Sequence, residues 1–244
     1  MNRIASFSII VLVMLCAFLF SSFAYSEGSI QLAPLRLVLS DAVTTSTLTV
    51  KNRSETPTLV QLELLSWSQK NNEEVLEPTR DILISPPVFT IPANGEQLLR
   101  VVLRHKADAN KELSYRLFVR EVADQSQPAT NGSIKVLLNI SIPIFVESAS
   151  KQSPKLVWHA SMDDTQKIKV KLVNDASQHV QIKSFQLSSK GVSPIIQNTM
   201  RYVLPSSSIE WTFENKSATF KFPLILQVIT DNGDLSKTLT LEKP

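Results

Sequence analysis

Ser133-Ile-Lys-Val-Leu-Leu-Asn-Ile-Ser-Ile-Pro-Ile-Phe-Val-Glu147 decides how this chain is read. Ile134, Val136, Leu138, Ile140, Ile142, Ile144 and Val146 share one parity, and a strand turns successive side chains to opposite faces. Lys135, Asn139 and Ser141 occupy the other parity. The alternation predicts a strand from Ile134 to Val146, well beyond the usual length of about 5–6 residues. So long an apolar ridge needs a cover, supplied by this protein or by another.

Working outward, the same period of two recurs between turn signals spaced about every ten residues, which predicts an all-β sandwich. Leu35, Leu37 and Leu39 share a face, as do Leu48 with Val50, and Val60 with Leu62 and Leu64. Ser85-Pro86-Pro87 interrupts Ile82–Ile91, and proline has no ladder donor, so a corner or sheet switch with a cis bond is expected there. Strands are expected over Gln97–Leu103 and Leu113–Val122, followed by a polar loop, Ala123–Gly132. The pattern stops at a short polar linker, 148–154, and restarts. Trp158, then Ile168, Val170 and Leu172 against Lys167, Lys169 and Lys171, open a second sandwich that runs to Leu241. The expected division is 27–147, linker 148–154, and 155–244.

Residues 1–26 carry Arg3, an apolar run from Ile9 to Phe20, and small residues at Ser22, Ala24 and Ser26. The run is short of the roughly 20 residues a span needs, so a signal peptide cleaved after Ala24 or Ser26 is expected. Its removal takes away Cys16, the sole cysteine, and with it disulfides, thiolate metal sites and cysteine catalysis. The remaining 24 basic and 22 acidic residues are too balanced to point to nucleic acid. An exported chain held together by packing alone suits a bacterial envelope compartment.

No catalytic constellation is visible. His105, His159 and His179 match no metal-ligand spacing and are each expected at the surface. Five glycines leave no phosphate-cradling loop, and Asp163-Asp164 reads as a hairpin turn. Trp67, Trp158 and Trp211 read as core residues rather than a sugar-stacking platform. Neither an enzyme, a cofactor nor a small-molecule substrate is therefore expected. The alternative is an adhesive or carbohydrate-binding two-sandwich module, which would need an aromatic or Asn/Asp-rich loop cluster at one end.

Three further segments bring a family into view. Pro34-Leu-Arg-Leu-Val-Leu39, Ile82–Arg100 with its Pro-Pro, Asn-Gly turn and arginine-bearing strand, and Tyr115-Arg-Leu-Phe-Val-Arg-Glu121 resemble the periplasmic chaperones of the chaperone–usher pathway. The resemblance covers nearly the whole chain after residue 26 and is nearest the branch called archaic. It implies two immunoglobulin-like β-sandwich domains set as a boomerang, a periplasmic location, and pilin subunits and an outer-membrane usher as partners. Self-association of the free chain is left open. The opening stretch takes the place of the donor strand, an edge strand lent to a subunit by β-augmentation. Ile134, Val136, Leu138 and Ile140 are the expected inserted row, with Ile142 to Val146 covering the chain's own core.

The same resemblance implies that two basic cleft residues anchor the subunit's terminal carboxylate. Arg36 matches the first. The second falls at Pro143, which cannot serve, so Arg100, Arg104 or Arg116 is expected to replace it. Glu121 matches a position of an internal ion-pair network, but Glu147 stands where an arginine is expected, so that network must be rewired or absent.

Overall fold

The structure, a computed structural model, describes residues 30–123, 136–149, 155–165, 167–215 and 220–241. Residues 1–26, Ile134, most of the loop to Gly132 and most of the linker before Pro154 therefore lie outside the described residues.

Among the described residues the first sandwich contains ten strands in chain order. They are β1 (Ile30–Ala33), β2 (Leu37–Leu39), β3 (Thr45–Asn52), β4 (Thr58–Lys70) and β5 (Glu73–Pro78). They continue with β6 (Ile82–Ser85), β7 (Val88–Ile91), β8 (Glu96–Leu103), β9 (Leu113–Val122) and β10 (Asn139–Val146). One sheet has the order β1-β3-β8-β6; the facing sheet has the order β2-β10-β9-β4-β5, with β7 also on β4. Leu48, Val50, Leu99 and Val101 from one sheet meet Leu39, Val60, Leu117, Val119 and Ile144 from the other in a single buried core.

The prolines explain how the chain changes sheet. β6 pairs with β8 and β7 with β4, so Pro86-Pro87 carries the strand from one layer to the other, with a cis bond at Ser85-Pro86. A proline cannot fill a central ladder position, and here it has none to fill. Pro34 stands at a second such change, between β1 and β2. That change breaks the expected Leu35–Leu39 face: Leu37 and Leu39 are buried, whereas Leu35 is exposed.

The second sandwich comprises β11 (Leu156–Met162), β12 (Ile168–Asn174), β13 (Val180–Ser189), β14 (Val192–Val203), β15 (Ser207–Phe213), β16 (Leu224–Thr230) and β17 (Gly233–Leu239). Its sheets are β11-β12-β15 and β14-β13-β16-β17. Trp158 and Trp211 lie in its core with Phe185, Leu187 and Leu226. Asp163 makes the β11–β12 turn, its Oδ1 accepting the N–H of Thr165 and of Lys167, each at 3.0 Å. These bonds to the Thr165 hydroxyl and to the two backbone amides hold the Asp163 carboxyl below its ordinary value.

Each sandwich clips a strand end with a buried asparagine. Asn52 Nδ2 donates to the carbonyls of Thr56, Pro92 and Ile91 at 2.8, 3.1 and 3.2 Å, while its Oδ1 accepts the Ser54 N–H at 2.9 Å. Asn174 does the same at the end of β12, donating to Gln178 and Val203 and accepting from Ala176. Asn52→Ala should leave buried carbonyls without that donor and cost about 1–3 kcal/mol. A lowered urea midpoint at unchanged m-value is the expected result, and an unchanged midpoint would count against it.

Candidate functional site

β10 is a strand with one complete neighbour and one partial one. β9 pairs with it antiparallel from Asn139 to Val146, whereas β2 pairs with it in parallel only over Ile144–Val146. The Glu121 N–H donates to the Leu138 carbonyl at 2.8 Å, so even-numbered residues bond towards β9. The Glu147 N–H donates to the Leu39 carbonyl at 2.8 Å, so odd-numbered residues bond towards β2. Beyond the reach of β2, Asn139 and Ser141 therefore present their backbone groups to an edge with no strand on it among the described residues. Pro143 lies on the same parity, so its missing N–H costs no bond to β9.

The regular strand is shorter than the parity suggested. It begins at Asn139 rather than Ile134, and residues 136–138 carry no assigned strand structure. β9 itself runs on to Val122 and the Glu121 N–H still reaches the Leu138 carbonyl, but the paired ladder begins at Asn139 opposite Arg120. Side-chain burial grades along the row: Val136 is 76% exposed, Leu138 and Ile140 are half-buried against the first core, and Ile142, Ile144 and Val146 are within it. The odd residues Pro143 and Phe145 are buried too, so this end of β10 is covered on both faces.

Arg36 and Arg116 border the same strand. Arg36 immediately precedes β2, and its Nη1 lies 3.4 Å from Oδ2 of Asp231 in the second sandwich. Arg116 is the direct cross-strand partner of Pro143, so its side chain leaves the sheet on the face where a side chain at 143 would. Its guanidinium lies 3.7 Å from the Trp67 ring centre, Nη2 is 3.0 Å from Glu74 Oε1, and its buried Nε has no hydrogen-bond partner among the described residues. Both guanidiniums act on Tyr202: burial pushes its hydroxyl above the ordinary value, while the charges of Arg36 and Arg116 oppose the shift.

Arg100 is not brought to this cleft. Leu99 and Val101 on either side of it point into the core, so Arg100 faces solvent on the outside of the opposite sheet. Arg104 follows β8 in that sheet, its Nη1 3.3 Å from the Arg80 carbonyl oxygen. Neither borders β10, which lies in the facing sheet. Of the three, Arg116 alone stands across β10 from Pro143, a placement that linear spacing does not show.

Between the sandwiches lies a small third core of Trp67, Phe145 and Leu204, with Leu76 and Tyr202 packed on it. His179 corrects the expectation that all three histidines are at the surface. It is nearly buried, stacked on Phe145 at 3.6 Å between ring centres, with Nδ1 2.7 Å from Glu112 Oε1 and Nε2 3.9 Å from Asp231 Oδ2. His105 is exposed and His159 half-buried. Arg36, Asp231, His179 and Glu112 thus form a chain of ionisable groups across the junction. Its members come from four separated segments, so no sequence motif announced it. Gln69 adds a further tie, accepting the Leu204 N–H at 3.0 Å and donating to the Tyr202 carbonyl at 2.9 Å. Glu121 accepts the Leu138 N–H at 3.3 Å, at the start of the open edge.

The chain is 27% identical to the chaperone protein AggD of Escherichia coli over 233 residues, 86% of this chain and 83% of AggD. A chain of the CsuC–CsuE chaperone–tip adhesion subunit pre-assembly complex, from archaic chaperone-usher Csu pili of Acinetobacter baumannii, superposes with a TM-score of 0.68 at 18% identity, covering 88% of this chain and all of that one. A chain of the Salmonella enterica SafA pilin–SafB chaperone complex gives 0.61 at 20% identity, over 88% and 99% of the two chains. These structures share the two-sandwich fold. The family model for the pili and flagellar-assembly chaperone PapD N-terminal domain matches residues 29–150, half of the chain, and the protein belongs to that chaperone family.

Proposed function

We propose that this protein is a periplasmic chaperone that holds pilus subunits by donor-strand complementation and passes them to an outer-membrane usher. The observation that carries the proposal is the open half of β10, where the backbone groups of Asn139 and Ser141 have no strand beside them among the described residues. A subunit lacking one strand has an exposed groove and an unpaired edge, both prone to aggregation. The row Ile134, Val136, Leu138 and Ile140 supplies the missing side chains, and the odd-numbered backbone groups supply the missing ladder.

Each fully buried side chain of such a row contributes about 1.5–3 kcal/mol. Leu138 and Ile140 already bury part of their surface at home, so the larger gains come from the outer end of the row. Arg36 and Arg116 are the two cations we assign to the subunit's terminal carboxylate, with Arg116 standing in for the side chain that Pro143 lacks. The first sandwich, 27–147, then holds the subunit, and the second, 155–244, positions Arg36 through the junction. Strand exchange releases the subunit without a nucleotide or other cofactor.

Ser141→Pro tests the edge directly. It removes an N–H that points away from β9, on the parity that already tolerates Pro143, so the free protein should melt as before. One ladder bond is worth about 0.5–1.5 kcal/mol. Co-expression with a subunit from the same gene cluster should give about two- to tenfold less co-purified subunit. Recovery equal to that of the unaltered protein would place the binding edge elsewhere.

A further inference from the structure

The Arg36–Asp231 pair is lopsided. The carboxylate is fixed without the arginine: Asp231 Oδ1 accepts the Gln181 N–H at 2.9 Å, and the Asp231 N–H donates to the Gln181 carbonyl at 3.1 Å. Its side chain is 16% exposed, whereas that of Arg36 is 46% exposed. The 3.4 Å separation exceeds the roughly 2.7–2.9 Å of a strong charge-assisted bond. A fixed acid therefore meets a half-exposed guanidinium at long range, and the same guanidinium also bonds the Tyr202 side chain. Arg36, Val38, Phe145, Glu147, His179 and Asp231 line one cleft of about 170 Å³, bordered also by Glu112. Its acidic surround disfavours free anions.

We propose that Asp231 is a resident carboxylate that occupies Arg36 in the subunit-free protein and is displaced by the terminal carboxylate of a captured subunit. This rests on the reading of Arg36 as an anchor and adds a gate to it. The two carboxylates are chemically alike, so the exchange alone gains little. Pairing along β10 supplies the favourable free energy, which restricts occupation of Arg36 to a terminus delivered by a docked strand. After exchange, Asp231 keeps the Gln181 N–H and faces His179 Nε2 at 3.9 Å, so it is not left bare.

The test uses the full chain without residues 1–26 and a synthetic strand peptide of alternating valine and threonine, ending in either a free carboxylate or a carboxamide. Asp231→Asn keeps an acceptor for Gln181 and removes the charge; Asp231→Ser is made beside it in case the amide variant misfolds. The expected result is about two- to fivefold tighter binding of the carboxylate peptide, the range for a partly exposed ion pair, with no change for the carboxamide. The gain should vanish in the Arg36→Ala background. Unchanged or weaker carboxylate binding, or an equal effect on both peptides, overturns the gate. Subunit co-purification with Arg36→Ala alone separates the two failures: a drop there keeps the anchor while the gate falls, and no drop removes both.

Discussion

Val136→Asp combined with Leu138→Asp is expected to leave a folded chaperone that recovers no co-expressed subunit. In the free protein Val136 is 76% exposed and precedes the ladder, so its replacement belongs with surface changes of about 0.5 kcal/mol or less. Leu138 is half-buried and costs more, on the order of 1–2 kcal/mol, which a two-sandwich protein can absorb. In the complex the ledger reverses. Each position loses about 1.5–3 kcal/mol of apolar burial, and each new carboxylate enters a groove with no partner, a cost of several kcal/mol more. A total above about 6 kcal/mol is more than four orders of magnitude in affinity. Asn139→Asp, an exposed residue of the opposite parity, is the matched control and should retain capture. Melting curves and co-purification of a co-expressed subunit measure both sides. Full recovery with the double variant would remove this row from the binding surface.

The sequence disclosed these features to the extent that they depend on local alternation. β9 covers Leu113–Val122 as expected, because its inward residues Tyr115, Leu117 and Val119 are large, apolar and spaced by two. Ser85-Pro86-Pro87 was readable as a change of sheet because proline is incompatible with a central ladder. Alternation says nothing of where a paired ladder starts. The regular strand therefore starts at Asn139 although the apolar row starts earlier, and Leu35 leaves the face it seemed to share.

The cleft was the least legible part. Arg36 is proposed through resemblance, and among Arg100, Arg104 and Arg116 only Arg116 is placed opposite Pro143 by the register. His179 looked like a surface residue because its neighbours are polar, Gln178 and Gln181 among them. Its cover comes from Phe145, in the other sandwich. A residue buried by a partner 34 positions away, in a different domain, carries no mark of that burial in its own segment.

Phe145→Ala should have the largest effect on stability of any single change at the junction. Phe145 is fully buried, yet it belongs to neither large core: its odd parity turns it away from the Ile144 and Val146 face and towards the second sandwich. Its ring stacks on His179 at 3.6 Å and lies 5.6 Å from Tyr202 and 6.2 Å from Trp67 between ring centres. Truncating a buried phenylalanine costs about 3–5 kcal/mol, part of it the aromatic contacts themselves. Here the loss falls on the coupling between sandwiches, because the two large cores keep every one of their own residues. Trp67 reports the junction, while Trp158 and Trp211 report the second core. In urea the variant should lose the Trp67 signal first, with emission shifted to the red before the second core unfolds. Phe145→Leu retains most of the apolar volume and should recover much of the difference. A variant that unfolds in one step at the original midpoint would mean that the third core contributes nothing to holding the sandwiches together, and that Arg36 and Asp231 are aligned by other contacts.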